Sequence, residues 1–163
     1  MNNRRILVLL VVFAVNGCST ILTPTFGVRQ GQLASCPLQR DCVSSQDSDP
    51  KLHIAPLVYA STRDQARSDL LIAITVVGQG RIVSNHRNYI RIEYPITDKT
   101  ETTSEYYYQP ENAVDDVEFY LEPDQHIIEM RSIARLGLFD IGANRARLEQ
   151  IRSAFAELQQ RHN

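Results

Sequence analysis

Asp116 and Glu118 stand two residues apart in Val114-Asp115-Asp116-Val117-Glu118-Phe119-Tyr120-Leu121. On a β-strand that spacing puts both carboxylates on one face, roughly 6.5–7 Å apart. The range touches the separation used by inverting glycosidases, in which one acid protonates the leaving oxygen and the other activates water. Arg131 in the expected partner strand argues against it, because a guanidinium opposite would keep both acids ionised and remove the proton donor. Asp115, Asp116 and Asp140 supply hard oxygen atoms and form a candidate divalent-cation site. Ser44 and Ser45, followed by His53, can be drawn as nucleophile and base, but no Gly-x-Ser-x-Gly elbow supports them and paired loop serines usually make a turn. The densest cluster is Arg131, Arg135, Asp140, Asn144 and Arg145 around one turn, chemistry suited to an anionic ligand or partner. The structural reading of the same residues is a cross-strand ion network of Asp116, Glu118, Arg131 and Arg135, each pair contributing about 0.2–1 kcal/mol. In that reading Asp140 or Asn144 caps the final helix, while Arg145, Arg147 and Arg152 line a solvated face.

Periodicity supplies the elements that must hold these side chains. Alternation in Val114–Leu121 puts Val117, Phe119 and Leu121 on one face and Asp116, Glu118 and Tyr120 on the other. In His126–Arg135, Ile128 and Met130 match the apolar face, leaving Glu129, Arg131, Ile133 and Arg135 opposite the acids. The register expected is Leu121 against His126, with Asp116 across from Arg131 and Glu118 diagonal to it. A one-residue slip would drive the acids into the core. Asp115 falls on the apolar face near Ser132 and needs a partner or a shifted pKa. The expectation is that it sits at the strand end and bonds backbone or the turn Phe139–Asn144.

Upstream, Leu52–Ala60 reads as an extended stretch that Pro56 confines to an edge. Thr62-Arg63-Asp64-Gln65 has the form of a capping box ahead of Ala66, Leu70, Ala73 and Val77, a helix that Gly78-Gln79-Gly80 stops. Arg81–Ser84 and Tyr89–Tyr94 read as strands, Thr97–Glu105 as a loop or ragged hairpin tip. Gly142 opens a last helix with Leu148, Ile151, Phe155 and Leu158 on its apolar side. The fold class is α+β: one domain, with an antiparallel sheet of four to five strands and two helices packed on it.

The first 17 residues have the parts of an export signal: Arg4 and Arg5, then ten apolar residues from Ile6 to Val15, about half of the roughly 20 that span a bilayer. Val15-Asn16-Gly17-Cys18 resembles the lipobox of bacterial lipoproteins. That resemblance implies diacylglyceryl attachment at Cys18, cleavage before it, and acylation of the new amine. More than one acyl chain would make a lasting anchor, at about 0.8 kcal/mol per buried methylene. Ser19 rather than aspartate after the cysteine favours the outer membrane. The expected organisation is signal peptide 1–17, lipidated N-terminus and tether 18–35, and domain 36–163. The Gly27–Gly31 end of the tether is expected to dock on the domain.

Cys36 and Cys42 remain. In an oxidising periplasm an even remainder reads as a disulfide, worth roughly 2–2.5 kcal/mol by loop entropy. A metal site, with His53 as the only candidate third ligand, and free thiols are the alternatives. Residues 18–163 carry 15 basic and 19 acidic side chains, a formal net of −4, so no electrostatic reason exists to bind nucleic acid. Apolar residues at 43% and charged residues at 22% exclude a disordered chain.

Gly27–Gln46, His53–Tyr59, Tyr89–Tyr94, Val114–Leu121 and Arg131–Arg152 together resemble the family catalogued as domain of unknown function 1499. The likeness covers nearly the whole expected domain and brings no established activity. Arg40-Asp41 stands where the family's inter-cysteine loop often has Pro-Asn. Ala134 replaces a serine of the family's Arg-Ser-x-Ser-Arg strand, which removes any mechanism needing that hydroxyl. The functional expectation is a lipid-anchored envelope protein on the periplasmic face of the outer membrane. It acts as a non-enzymatic binding or structural module, with no cofactor, an anionic ligand or envelope protein as partner, and the membrane reached through Cys18. The competing expectation is a hydrolase using Asp116 or Glu118 on cell-wall or lipid material.

Overall fold

A computed structural model of the chain describes residues 25–37, 41–96, 113–135 and 142–161. In chain order its elements are β1 (Val28–Arg29), β2 (Gln32–Leu33), β3 (Cys42–Ser44), β4 (Leu57–Val58), α1 (Arg63–Val77), β5 (Arg81–His86), β6 (Tyr89–Pro95), β7 (Val114–Leu121), β8 (Ile127–Ala134) and α2 (Ala143–Gln160). The long strands form an antiparallel sheet in the order β3-β8-β7-β6-β5, with β4 also paired to β8. Six strands make this sheet, one more than the upper expectation, because Cys42–Ser44 adds a short edge. Pro56 does confine β4 to an edge. A separate hairpin, β1-β2, completes the described strands.

Alternation assigns the faces. Ile90, Ile92 and Tyr94 of β6, Val117, Phe119 and Leu121 of β7, and Ile128 and Met130 of β8 are buried on one side. They pack against Leu70, Ala73 and Ile74 of α1 and Leu148, Ile151 and Phe155 of α2. Thr62 caps α1 as expected, accepting from the Gln65 amide at 3.3 Å, and Gly78 ends it with a positive φ of 74°. At the start of α2, Gly142 occupies the N-cap with no side-chain capping bond, so Asn144 does not cap the helix. Asp140 lies outside the described residues, as does Thr97–Glu105.

The register of the central hairpin corrects the sequence expectation. Leu121 pairs with Ile128, Glu118 with Arg131 and Asp116 with Ile133, a slip of two residues. Side chains alternate with period two, so such a slip leaves every face unchanged and alternation cannot detect it. The connection decides it: the Glu122 amide donates to the Ile127 carbonyl at 3.2 Å, closing the turn one step beyond His126.

Among the described residues no helix is long and apolar enough to cross a membrane.

Candidate functional site

The second face of the sheet is polar by the same alternation, and it is covered. Tyr89, Arg91 and Glu93 of β6, Asp116 and Glu118 of β7, and Glu129 and Arg131 of β8 share it, with Arg135 just beyond the last strand. Residues 25–35, read from sequence as the end of a tether, run across it as a strap that includes β1 and β2. Arg131, Glu118 and Asp116 are 1%, 0% and 0% exposed, the first two in contact with the strap.

Glu118 accepts three hydrogen bonds: from Arg131 Nη1 at 2.6 Å, from the Tyr89 hydroxyl at 2.6 Å and from the Gly27 amide at 2.7 Å. Burial and the Glu118 charge together hold the Tyr89 hydroxyl far above its ordinary pKa, so it stays a donor. Arg131 also donates to the Thr25 carbonyl at 3.1 Å and the Ser35 carbonyl at 3.4 Å. Asp116 is gripped by Arg135 through Nε at 2.8 Å and Nη2 at 2.7 Å, with Arg91 Nη1 at 3.5 Å. Hydrogen bonding to Asp116 in turn raises the Arg135 pKa. Glu93 bonds Arg135 at 2.5 Å and also pairs with Arg81. The bond from Arg135 holds its carboxyl below the ordinary range. Phe26 of the strap lies 4.4 Å from the Arg91 guanidinium, a cation–π contact.

Asp115 faces the helices and belongs to a second cluster. At 3% exposed, it pairs with Arg147 at 2.7 Å, and Phe139–Ile141 of the turn expected to bond it lie outside the described residues. Desolvation raises its pKa, and Arg147 opposes that rise. Arg147 Nη1 donates to Asn144 Oδ1 at 3.1 Å, Ser132 donates to the same oxygen, and the Arg147 guanidinium lies 4.8 Å from the Tyr94 ring centre.

The expected cluster is therefore divided. Glu118 and Arg131 come together beneath the strap, Asp116 and Arg135 pair on the same face of the sheet, and Asp115 and Asn144 lie on the helix side. Arg145 stands apart, donating to the Lys51 carbonyl at 2.9 Å. Asp115 and Asp116 project to opposite faces and cannot share one cation. Among the described residues no group of three or more His, Cys, Asp or Glu is placed to hold a metal ion. Ser44 and Ser45 are buried. The Ser45 hydroxyl bonds Glu129 and accepts from the Met130 amide at 2.8 Å, while exposed His53 bonds the Asp47 carbonyl at 3.0 Å. The serines and the histidine do not form a nucleophile and base. Cys36 and Cys42 are joined as a disulfide, which ties the end of the strap to β3.

A family model described as a protein of unknown function, DUF1499, matches residues 32–155. The chain belongs to the DUF1499 family. Comparisons with curated proteins and with solved structures give no match. The DUF1499 span begins in β2 and ends near the last buried turn of α2, so it contains every charged residue of the covered face. Phe26 and Gly27 precede it.

Three participants, Tyr89, Arg91 and Glu93, were missed from sequence and a fourth, Arg147, was read as solvated, although it pairs with buried Asp115 and signals existed for all four. Tyr89, Arg91 and Glu93 alternate with Ile90, Ile92 and Tyr94, which assigns them to the polar face. Arg147 falls in the series Asn144, Arg147, Leu148, Ile151, Phe155, a helical stripe that continues the core-facing side.

Proposed function

We propose that this DUF1499 protein is a lipid-anchored cell-envelope protein whose domain is a non-enzymatic binding or structural module. The observation that carries the reading is the burial of Asp116 and Glu118, each paired with arginine. A general acid must reach its substrate, and both carboxylates are engaged by arginine. Both groups are 0% exposed, which speaks against the hydrolase reading.

The envelope location rests on Arg4 and Arg5, the apolar run Ile6–Val15 and the lipobox-like Val15–Cys18, with Ser19 favouring the outer membrane. The disulfide Cys36–Cys42 suits an oxidising compartment. The partner class is an anionic ligand or another envelope protein, met without help from any basic surface for nucleic acid.

The test pairs two measurements on the exported protein. Crosslinking in intact cells is expected to trap a discrete envelope partner. Incubation with purified cell wall and with phospholipid vesicles is expected to release no soluble product. Product release that disappears in Glu118→Gln would replace the binding module with a hydrolase.

A further inference from the structure

We infer that the charged face of the sheet is a groove for an extended polypeptide, and that the chain's own Thr25–Ser35 fills it as an internal substitute. The inference deepens the binding-module reading by naming the ligand class, and to that extent rests on it.

The contacts that hold the strap are mostly made through its main chain. Glu118 takes the Gly27 amide, Arg131 reaches the Thr25 and Ser35 carbonyls, and Gln46 accepts from the Leu33 amide at 2.8 Å while donating to the Gly31 carbonyl at 3.1 Å. A carboxylate, a guanidinium and a carboxamide that read amides and carbonyls can read any extended chain, as main-chain recognition does generally. Phe26 on Arg91 and buried Leu33 are the side-chain anchors.

The strap also fills the face imperfectly. Arg131 Nε is buried with no hydrogen-bond partner among the described residues, so a chain offering one more acceptor would bind better than the strap does. What the strap covers is chiefly charge, and lifting it returns Glu118 and Arg131 to water, which refunds their desolvation. A segment held by few apolar contacts over groups that gain from hydration belongs to the first part of a fold to open. The disulfide at its end keeps the strap attached while it is displaced.

The probe is a fluorescein-labelled peptide of residues Thr25–Ser35 added to full-length Cys18→Ser protein, which needs no lipid. The wild-type strap competes from within the same molecule, so binding in trans is expected to be weak. Gly27→Pro in the protein removes the amide donor and forbids the left-handed backbone at that position (φ 94°), freeing the face. It is expected to tighten peptide binding by at least about tenfold. The same substitution in the peptide is expected to lose that gain. A Gly27→Pro protein that melts cooperatively yet binds no peptide overturns the inference. Hydrogen exchange on the protein with its native strap supplies an independent arm. Gly27 and Leu33 amides exchanging at least about 100-fold faster than Phe119 support a displaceable strap, and equal protection overturns it. Failure of either arm leaves the lipid anchor untouched, and a chain lacking acyl groups leaves the peptide result untouched.

Discussion

The pairing of Glu118 with Arg131 shows how burial changes the value of a single residue. At a partly exposed site, Arg131→Ala would cost no more than about 1 kcal/mol. At 1% exposed, with Glu118 fully buried, the substitution strands a carboxylate out of water and is expected to cost about 3–5 kcal/mol. Glu118→Gln keeps an acceptor for the Gly27 amide and the Tyr89 hydroxyl, so the double variant with Arg131→Met should recover more than half of that loss. Urea midpoints of the single and double variants check both statements, and a loss below about 1 kcal/mol for Arg131→Ala would mean the pair is solvated. Glu93 carries a pH signature. Arg135 lowers its folded pKa, so its stabilisation is present above the unfolded carboxyl pKa and is lost as pH falls through the folded value. Glu93→Gln is therefore expected to be less stable than wild type at pH 7, by no more than about 1 kcal/mol. The difference should close in acid, and one that stays constant from pH 7 to pH 3 would count against the ion pair.

Among the elements, the sheet and both helices were legible because each announces itself by its own period, and Thr62 and Gly78 mark the bounds of α1. The register was not legible, since a slip of two preserves every face that alternation reports. Of the strap, only the docking of Gly27–Gly31 was legible. Residues 25–35 lack apolar periodicity because what they cover is charged, so the usual signal of a packed segment is missing. The divided cluster follows from the same cause: Asp115 and Asp116 are neighbours in sequence and lie on opposite faces of β7. Gly80 reads in sequence as part of a helix stop, but its position has a packing reason as well. A Cβ there would come within 2.6 Å of Ile92 Cγ2 and 2.7 Å of Tyr94 Cζ, both on buried residues. Gly80→Ala is expected to cost about 1–3 kcal/mol by forcing β5 and β6 apart. Gly80 is not among the glycines with positive φ, so thermal melts of Gly80→Ala read the crowding free of left-handed strain. A loss below about 0.5 kcal/mol would remove crowding as the explanation.

At the scale of the whole molecule, the strap links two parts of the chain that sequence reading treats as separate. Thr25 lies seven residues beyond Cys18, so a domain with its strap docked stays within roughly 25 Å of an anchored cysteine. With the strap lifted as far as the disulfide, the reach grows to roughly 60 Å. The face that would meet a partner and the distance at which the domain stands from the membrane are then set by one segment. All of this depends on Cys18 being an anchor. The most direct test is mass spectrometry of the N-terminal peptide of the exported protein. The expected result is a chain that begins at Cys18, carries diacylglyceryl and amide-linked acyl mass on that residue, and loses both in Cys18→Ser. A mature chain that begins elsewhere, or at Cys18 without acyl mass, would contradict the account.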